Sequence, residues 1–203
     1  AYHRTTDVRD VYAECEVPDV IEFLTSFELR CEDSDRCYRE IDFSISLDMI
    51  ENGDFVQSMP LATQNYNYRH DNIAINLQGS NVLTCGEDAP PSCYSNETIQ
   101  YTLIQDGNSP VPVRNWDGEV EYFSLPTGRI ERGRGLAAEI VPTMPLSSNQ
   151  RNMLQDLWHD ELRGRPLQGS YRLRIWEDDL LRFENIDDIQ LIVDYRYWTR
   201  FGD

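Results

Sequence analysis

Two pairs of cysteines and one aromatic–histidine run are the residues whose types and spacing first suggest chemistry. Cys31 and Cys37 enclose the acidic loop EDSDR, and Cys85 and Cys93 enclose GEDAPPS. Both loops are polar and turn-like, so a short disulfide clipping each hairpin is the leading reading. Free thiols and metal ligation are the alternatives. Zinc fits poorly, because neither spacing is CxxC and the histidines, His3, His70 and His159, are scattered. Cys15 is left over, either free or paired with sequence outside the chain.

The run QNYNYRHDN sets Tyr66, Tyr68 and His70 in a polar frame. On a loop or sheet edge such rings could stack on a sugar or anchor a protein, and half-buried tyrosines are the plainer alternative. In the last alternating stretch, Tyr195 and Tyr197 share the core phase. Arg196 and Trp198 then point outward, toward a neighbouring domain or subunit, and Trp116 and Trp176 have similar status. Catalytic signatures are missing: there is no G-x-S-x-G, and no nucleophile accompanies His159 beside Asp160 and Glu161. With 36 acidic residues, no carboxylate pair stands out as a glycosidase pair. The expectation is a protein that is not an enzyme and has no cofactor. The acidic clusters Glu32, Asp33 and Asp35, and Asp178-Asp179 with Asp187-Asp188, suit a structural calcium ion, with plain solvated turns as the alternative.

The charge narrows the partners. A formal net charge of −18 over 203 residues, with 18 basic residues that are all Arg, repels phosphate backbones and anionic membranes. Nucleic acid is therefore excluded as an expected partner. No run of 18 uncharged apolar residues occurs, so no helical membrane span is expected. The opening AYHRTTDVRD has neither an apolar leader core nor an initiator Met, which points to a processed chain or a fragment. Disulfides would place it outside the cytoplasm, as a secreted or extracytoplasmic protein. The sequon Asn96-Glu97-Thr98 could carry a glycan in a eukaryotic secretory route.

The elements that must position these residues are strands. IDFSISLDMI puts Ile41, Phe43, Ile45, Leu47 and Met49 on one face and Asp42, Ser44, Ser46 and Asp48 on the other. The same period of two runs through FELRC, NIAINL, TIQYTLI, YRLRIW and IQLIVDYRYW, and less cleanly through GEVEYFSL. Turn signals separate them at ENGD, DGNSP, WDG, PTG and LQG. Seven or more such strands describe an all-β, antiparallel two-sheet β-sandwich, jelly-roll-like, with at most one or two short helices. Helical candidates are 8–24, interrupted by Pro18, and 147–162, best from Asn152 to Leu162. An irregular N-terminal arm over 1–20 and one domain over 21–203 are expected.

The order of RCYREIDFSISLDM (36–49), MPLSSNQ (144–150) and ELRGRPLQGSYRLRIWEDDLLRFENIDDIQLIVDYRYW (161–198) resembles the C-terminal β-rich region of the large A subunits of bacterial insecticidal toxin complexes. The likeness rests on Tyr38-Arg39, on Leu146-Ser147-Ser148, on Pro166 to Gly169 before Tyr171 to Leu173, and on Phe183 to Ile189. Asn149 to Asn152 depart from the family's Gly-Gln-Asn-Asp stretch. The resemblance implies a non-enzymatic binding or assembly domain that contacts a protein subunit or neighbouring domains of a larger chain. The alternative is a carbohydrate-binding β-sandwich module using Tyr66 and Tyr68. Protein is the expected partner in the first case, a glycan in the second.

Overall fold

A computed structural model describes residues 11–13, 29–33, 36–52, 65–84, 98–137 and 156–199. They form ten strands: β1 (Val11–Ala13), β2 (Arg30–Asp33), β3 (Arg36–Ile45), β4 (Asn65–Gln78), β5 (Thr98–Gln105), β6 (Val111–Arg114), β7 (Val120–Phe123), β8 (Gly128–Leu136), β9 (Gly169–Trp176) and β10 (Asp188–Thr199). One short helix, α1 (Leu47–Asn52), follows β3, and a 3-10 turn spans Phe183–Asn185. The protein is all-β among these residues.

Eight strands make one mixed sheet in the order β1-β10-β4-β8-β5-β9-β3-β2, and β6-β7 make a separate two-stranded ribbon. Every pair is antiparallel except β4–β8, which is parallel and meets at one register pair, Asn76 and Leu136. The expected purely antiparallel arrangement is corrected at this joint, which divides the sheet into a β1-β10-β4 wing and a β8-β5-β9-β3-β2 wing. Both wings feed one apolar cluster: Ile73, Ile75, Leu77, Leu191 and Val193 from the first, and Tyr101, Leu103, Ile130, Tyr171, Leu173 and Ile175 from the second. Burying these side chains is the main stabilising term.

The period of two explains much of this. Ile41 and Ile45 on β3 are buried between exposed Asp42 and Ser44, while Phe43 is half-buried and stacks on Tyr171 at 5.1 Å. The strand stops earlier than the alternation suggests. The Ser46 hydroxyl accepts the backbone N–H of Met49 at 3.0 Å, and Leu47–Asn52 turn into a helix. A side chain that caps a free helical N–H offers the backbone an alternative to the sheet. Leu47 and Met49 are consequently half-buried on α1.

The proposed helix from Asn152 to Leu162 is also corrected over its described part. Residues 156–162 are turns around an isolated bridge, in which Ile73 and His159 exchange both backbone hydrogen bonds at 2.9 Å. There Leu157, with Trp158 against it, packs on Ala74 of β4, Leu136 of β8 and Ile192 of β10. That cover accounts for the burial of both faces of β4 from Ile73 to Leu77, where Asn76 meets the Gln190 side chain at 2.9 Å.

Strand β8 is not among the strands expected from the alternation. Gly133 lies opposite Tyr101, and a Cβ there would come within 2.4 Å of the tyrosine ring. The missing side chain makes room for a fully buried ring. Within the segment expected as an arm, Val11–Ala13 pair with Val193, Ile192 and Leu191 of β10. The rest of 1–20, and the stretch 147–155, lie outside the described residues.

Candidate functional site

The cysteine reading holds for one pair. Cys31 and Cys37 face each other directly across β2 and β3 and form a disulfide. That bond pins the edge strand β2 to the sheet and is consistent with an oxidising compartment. Cys15, Cys85, Cys93 and the sequon asparagine Asn96 lie outside the described residues. No group of three or more His, Cys, Asp or Glu side chains among the described residues is placed to hold a metal ion. Of the acidic clusters suggested for calcium, Asp178 Oδ1 instead accepts the Leu180 N–H at 2.9 Å, and Asp188 Oδ1 the Ile189 N–H at 2.7 Å. Asp35 is outside the described residues.

The residues singled out as Tyr66, Tyr68, His70, Arg196 and Trp198 converge on one strand pair. Register places Trp198 opposite Tyr66, Arg196 opposite Arg69 and Tyr195 opposite His70. They do not make an open platform. Tyr68 is 4% exposed and packs its ring 5.7 Å from both Tyr195 and Tyr197. Arg196 is tied to Asp71, which also meets Arg163 at 3.0 Å, and Tyr66 and Trp198 are half-buried.

His70 sits deepest, at 1% exposure. Its Nε2 lies 2.8 Å from the Tyr171 hydroxyl, which also accepts the Gln105 amide at 2.9 Å. Gln105 donates to the Pro166 carbonyl at 2.8 Å, and its own oxygen accepts from Arg165 Nε at 2.6 Å. This knot stitches β4 to β5, β9 and the 164–168 segment across the joint of the wings. Burial, helped by the nearby Arg165 charge, pushes the His70 imidazole down to about 3, so the ring is neutral. His159 is likewise held in place: its Nε2 accepts the Arg134 N–H at 3.0 Å.

Several arginines are paired within the chain. Arg174 meets Glu32 at 3.0 Å and lies over the Tyr38 ring, Arg172 meets Asp106 at 2.8 Å, and Arg36 lies over Trp176.

What remains open is the β6–β7 ribbon, marked in the sequence by a less clean strand and by Trp116 as an expected contact residue; Trp176, expected in the same role, is instead buried. All four residues of β7 are exposed, including Tyr122 at 70% and Phe123 at 39%. Trp116, in the turn between the two strands, is 69% exposed. Val111 and Val113 of β6 are buried and anchor the ribbon, and Gln168 donates to the Pro112 carbonyl at 2.6 Å. Asn115 builds the turn: its side-chain oxygen accepts the N–H groups of Asp117 and Glu119, each at 3.0 Å. Asp117, Glu119 and Glu121 surround the exposed rings with negative charge. One face of the ribbon, with Pro112, Arg114, Val120 and Tyr122, borders an open cleft of about 510 Å³. The exposed aromatic pattern W-x-x-x-V-x-Y-F was the signal that could have found this site from sequence.

Compared with known protein families, curated proteins and solved structures, the chain shows no match. No described helix is long and apolar enough to cross a membrane.

Proposed function

We infer that this chain is a non-enzymatic binding domain of a larger extracytoplasmic protein, docking a protein partner through the tip of the β6–β7 ribbon. The observation that carries this reading is Trp116, a large aromatic left 69% exposed on a turn that side-chain hydrogen bonds hold rigid. A preorganised aromatic anchor loses little entropy on binding and is the residue type that dominates interface energetics. The acidic rim of Asp117, Glu119 and Glu121 selects a partner whose apolar pocket is bordered by Lys or Arg. Two wings sharing one core support a jelly-roll-like sandwich as the scaffold. The disulfide supports secretion. The ordered likeness of 36–49, 144–150 and 161–198 to toxin-complex A subunits supports a partner that is a subunit or neighbouring domain of the same assembly.

The test is site-specific photocrosslinking from position 116 in the full-length secreted protein, with the captured peptide read by mass spectrometry. A cross-link to a basic segment of one protein, together with a Kd raised about thirtyfold by Trp116→Ala, is expected. Capture only from positions 196 and 198, or an unchanged Kd for the folded variant, overturns the assignment.

A further inference from the structure

The cleft beside the ribbon is separate from its tip and has a different chemistry. Its floor is the start of β9 against the end of β3, where Ser170 pairs with Ser44 and Gly169 with Ile45. The loop after β5 forms one wall and is fixed by the Asp106 N–H, which donates to the Ser170 carbonyl at 2.9 Å. The first turn of α1 forms another, and the Tyr122 face of the ribbon closes the third side. A volume of about 510 Å³ falls in the range of small-molecule sites.

Its charged side chains are mostly committed within the chain. Arg114 is held by Glu51, with one bond at 2.7 Å, and by the Gly118 carbonyl; Arg172 neutralises Asp106 at 2.8 Å. Among the described residues an anionic ligand therefore finds no free cation in the cleft, and a cationic one finds only Asp48. The uncommitted groups are the hydroxyls of Ser44, Ser109 and Ser170 and the amide of Asn108, none of which makes a side-chain hydrogen bond among the described residues. The Ser46 hydroxyl, which accepts from Met49, keeps its own proton to donate. Hydroxyls and amides both donate and accept, as do the hydroxyl groups of a sugar. At the rim, Tyr122 presents an exposed ring, and an aromatic face suits the C–H face of a pyranose.

We propose that this cleft is a binding site for a neutral saccharide, with Tyr122 as the stacking platform and Ser44, Asn108, Ser109 and Ser170 as the hydroxyl-recognising groups. The site goes beyond the protein-docking tip and does not depend on it.

Saturation-transfer NMR and calorimetry on the full chain test it, with maltotriose, cellotriose and mannotriose as neutral probes. Sialyllactose serves as the anionic probe and a glucosamine trimer as the cationic one. At least one neutral trisaccharide is expected to bind saturably, with transfer to its ring C–H protons. Tyr122→Ala should weaken that binding about tenfold or more, whereas Trp116→Ala should leave it intact. A second variant, Asn108→Ala with Ser109→Ala, should also weaken it if Tyr122→Ala fails to fold. Absence of saturable binding by all three neutral probes overturns the proposal. So does tighter binding of either charged probe, or binding that persists unchanged in folded Tyr122→Ala. Loss of partner docking in Trp116→Ala with saccharide binding retained separates this site from the ribbon tip.

Discussion

Tyr68 on β4 and Tyr122 on β7 both lie in strands beside an amide or acidic residue, Asn67 and Glu121, yet one is 4% exposed and the other 70%. The difference comes from what lies on either side of each strand. Strand β4 has β10 along one edge and touches β8 along the other, and Tyr68 joins the apolar cluster fed by both wings, packed against Tyr195 and Tyr197. Strand β7 has only β6 as a neighbour. An aromatic in a covered strand becomes core, and the same residue type at the edge of a two-stranded ribbon is left as a contact surface. Tyr68 is thus part of the core despite its aromatic neighbours, whereas Trp116 and Tyr122 of the ribbon stay exposed.

The sharpest way to break this comparison is truncation of each ring. Tyr68→Ala should lower the unfolding free energy by about 3–5 kcal/mol, read by urea denaturation, because it leaves a cavity between Tyr195 and Tyr197. A much smaller loss would mean that the β4–β10 rings are not core.

Acid tests the same region through His70. Its folded value near 3 lies below the ordinary value of 6.5, so the unfolded chain binds the extra proton. Stability is complete above the unfolded value and falls as pH drops from there toward the folded one. Between pH 6 and pH 5, above the usual carboxylate range, this one group should contribute a slope of about 1 kcal/mol per pH unit. His70→Gln should remove that part of the slope, and an unchanged slope would show that the imidazole is not buried neutral.

Reduction of the Cys31–Cys37 bond opens a short cross-linked loop and should cost about 2 kcal/mol, measured by thermal unfolding with and without reductant. Protection of β2 amides in hydrogen exchange should fall first, since the disulfide holds an edge strand.

The smallest effect belongs to the ribbon. Trp116→Ala and Tyr122→Ala should each change stability by no more than about 0.5 kcal/mol while altering binding. A loss as large as that of Tyr68→Ala would place these rings in a covered interface of the domain and erase the contrast.

Much of the scaffold was legible because alternation is local. Ile73, Ile75 and Leu77, then Tyr171, Leu173 and Ile175, then Leu191, Val193 and Tyr195 were assigned inward and are buried. Strand β8 was hidden because Gly133 and Gly135 stand at inward positions: the former lies under the Tyr101 ring, and a Cβ on the latter would come within 2.8 Å of the Ile75 carbonyl. Strand β6 was hidden by Pro112, and the end of β3 by a serine that caps a helix instead of continuing the face. The candidate site was legible as Trp116, expected at a contact, in a turn signal at Trp116-Asp117-Gly118 with a weak strand after it.

Which residues share a face, where the chain turns, and that Cys31 could meet Cys37 across a hairpin were determined by the sequence alone. Neighbours two to six positions apart dictate these features through backbone geometry. The tertiary structure decided that His70 is buried against Tyr171, that Arg196 is spent on Asp71, and that Tyr122 stays in the open. Each of those outcomes depends on which distant strand or loop covers a face, and that is settled by pairing between segments as far apart as 101 and 125 residues.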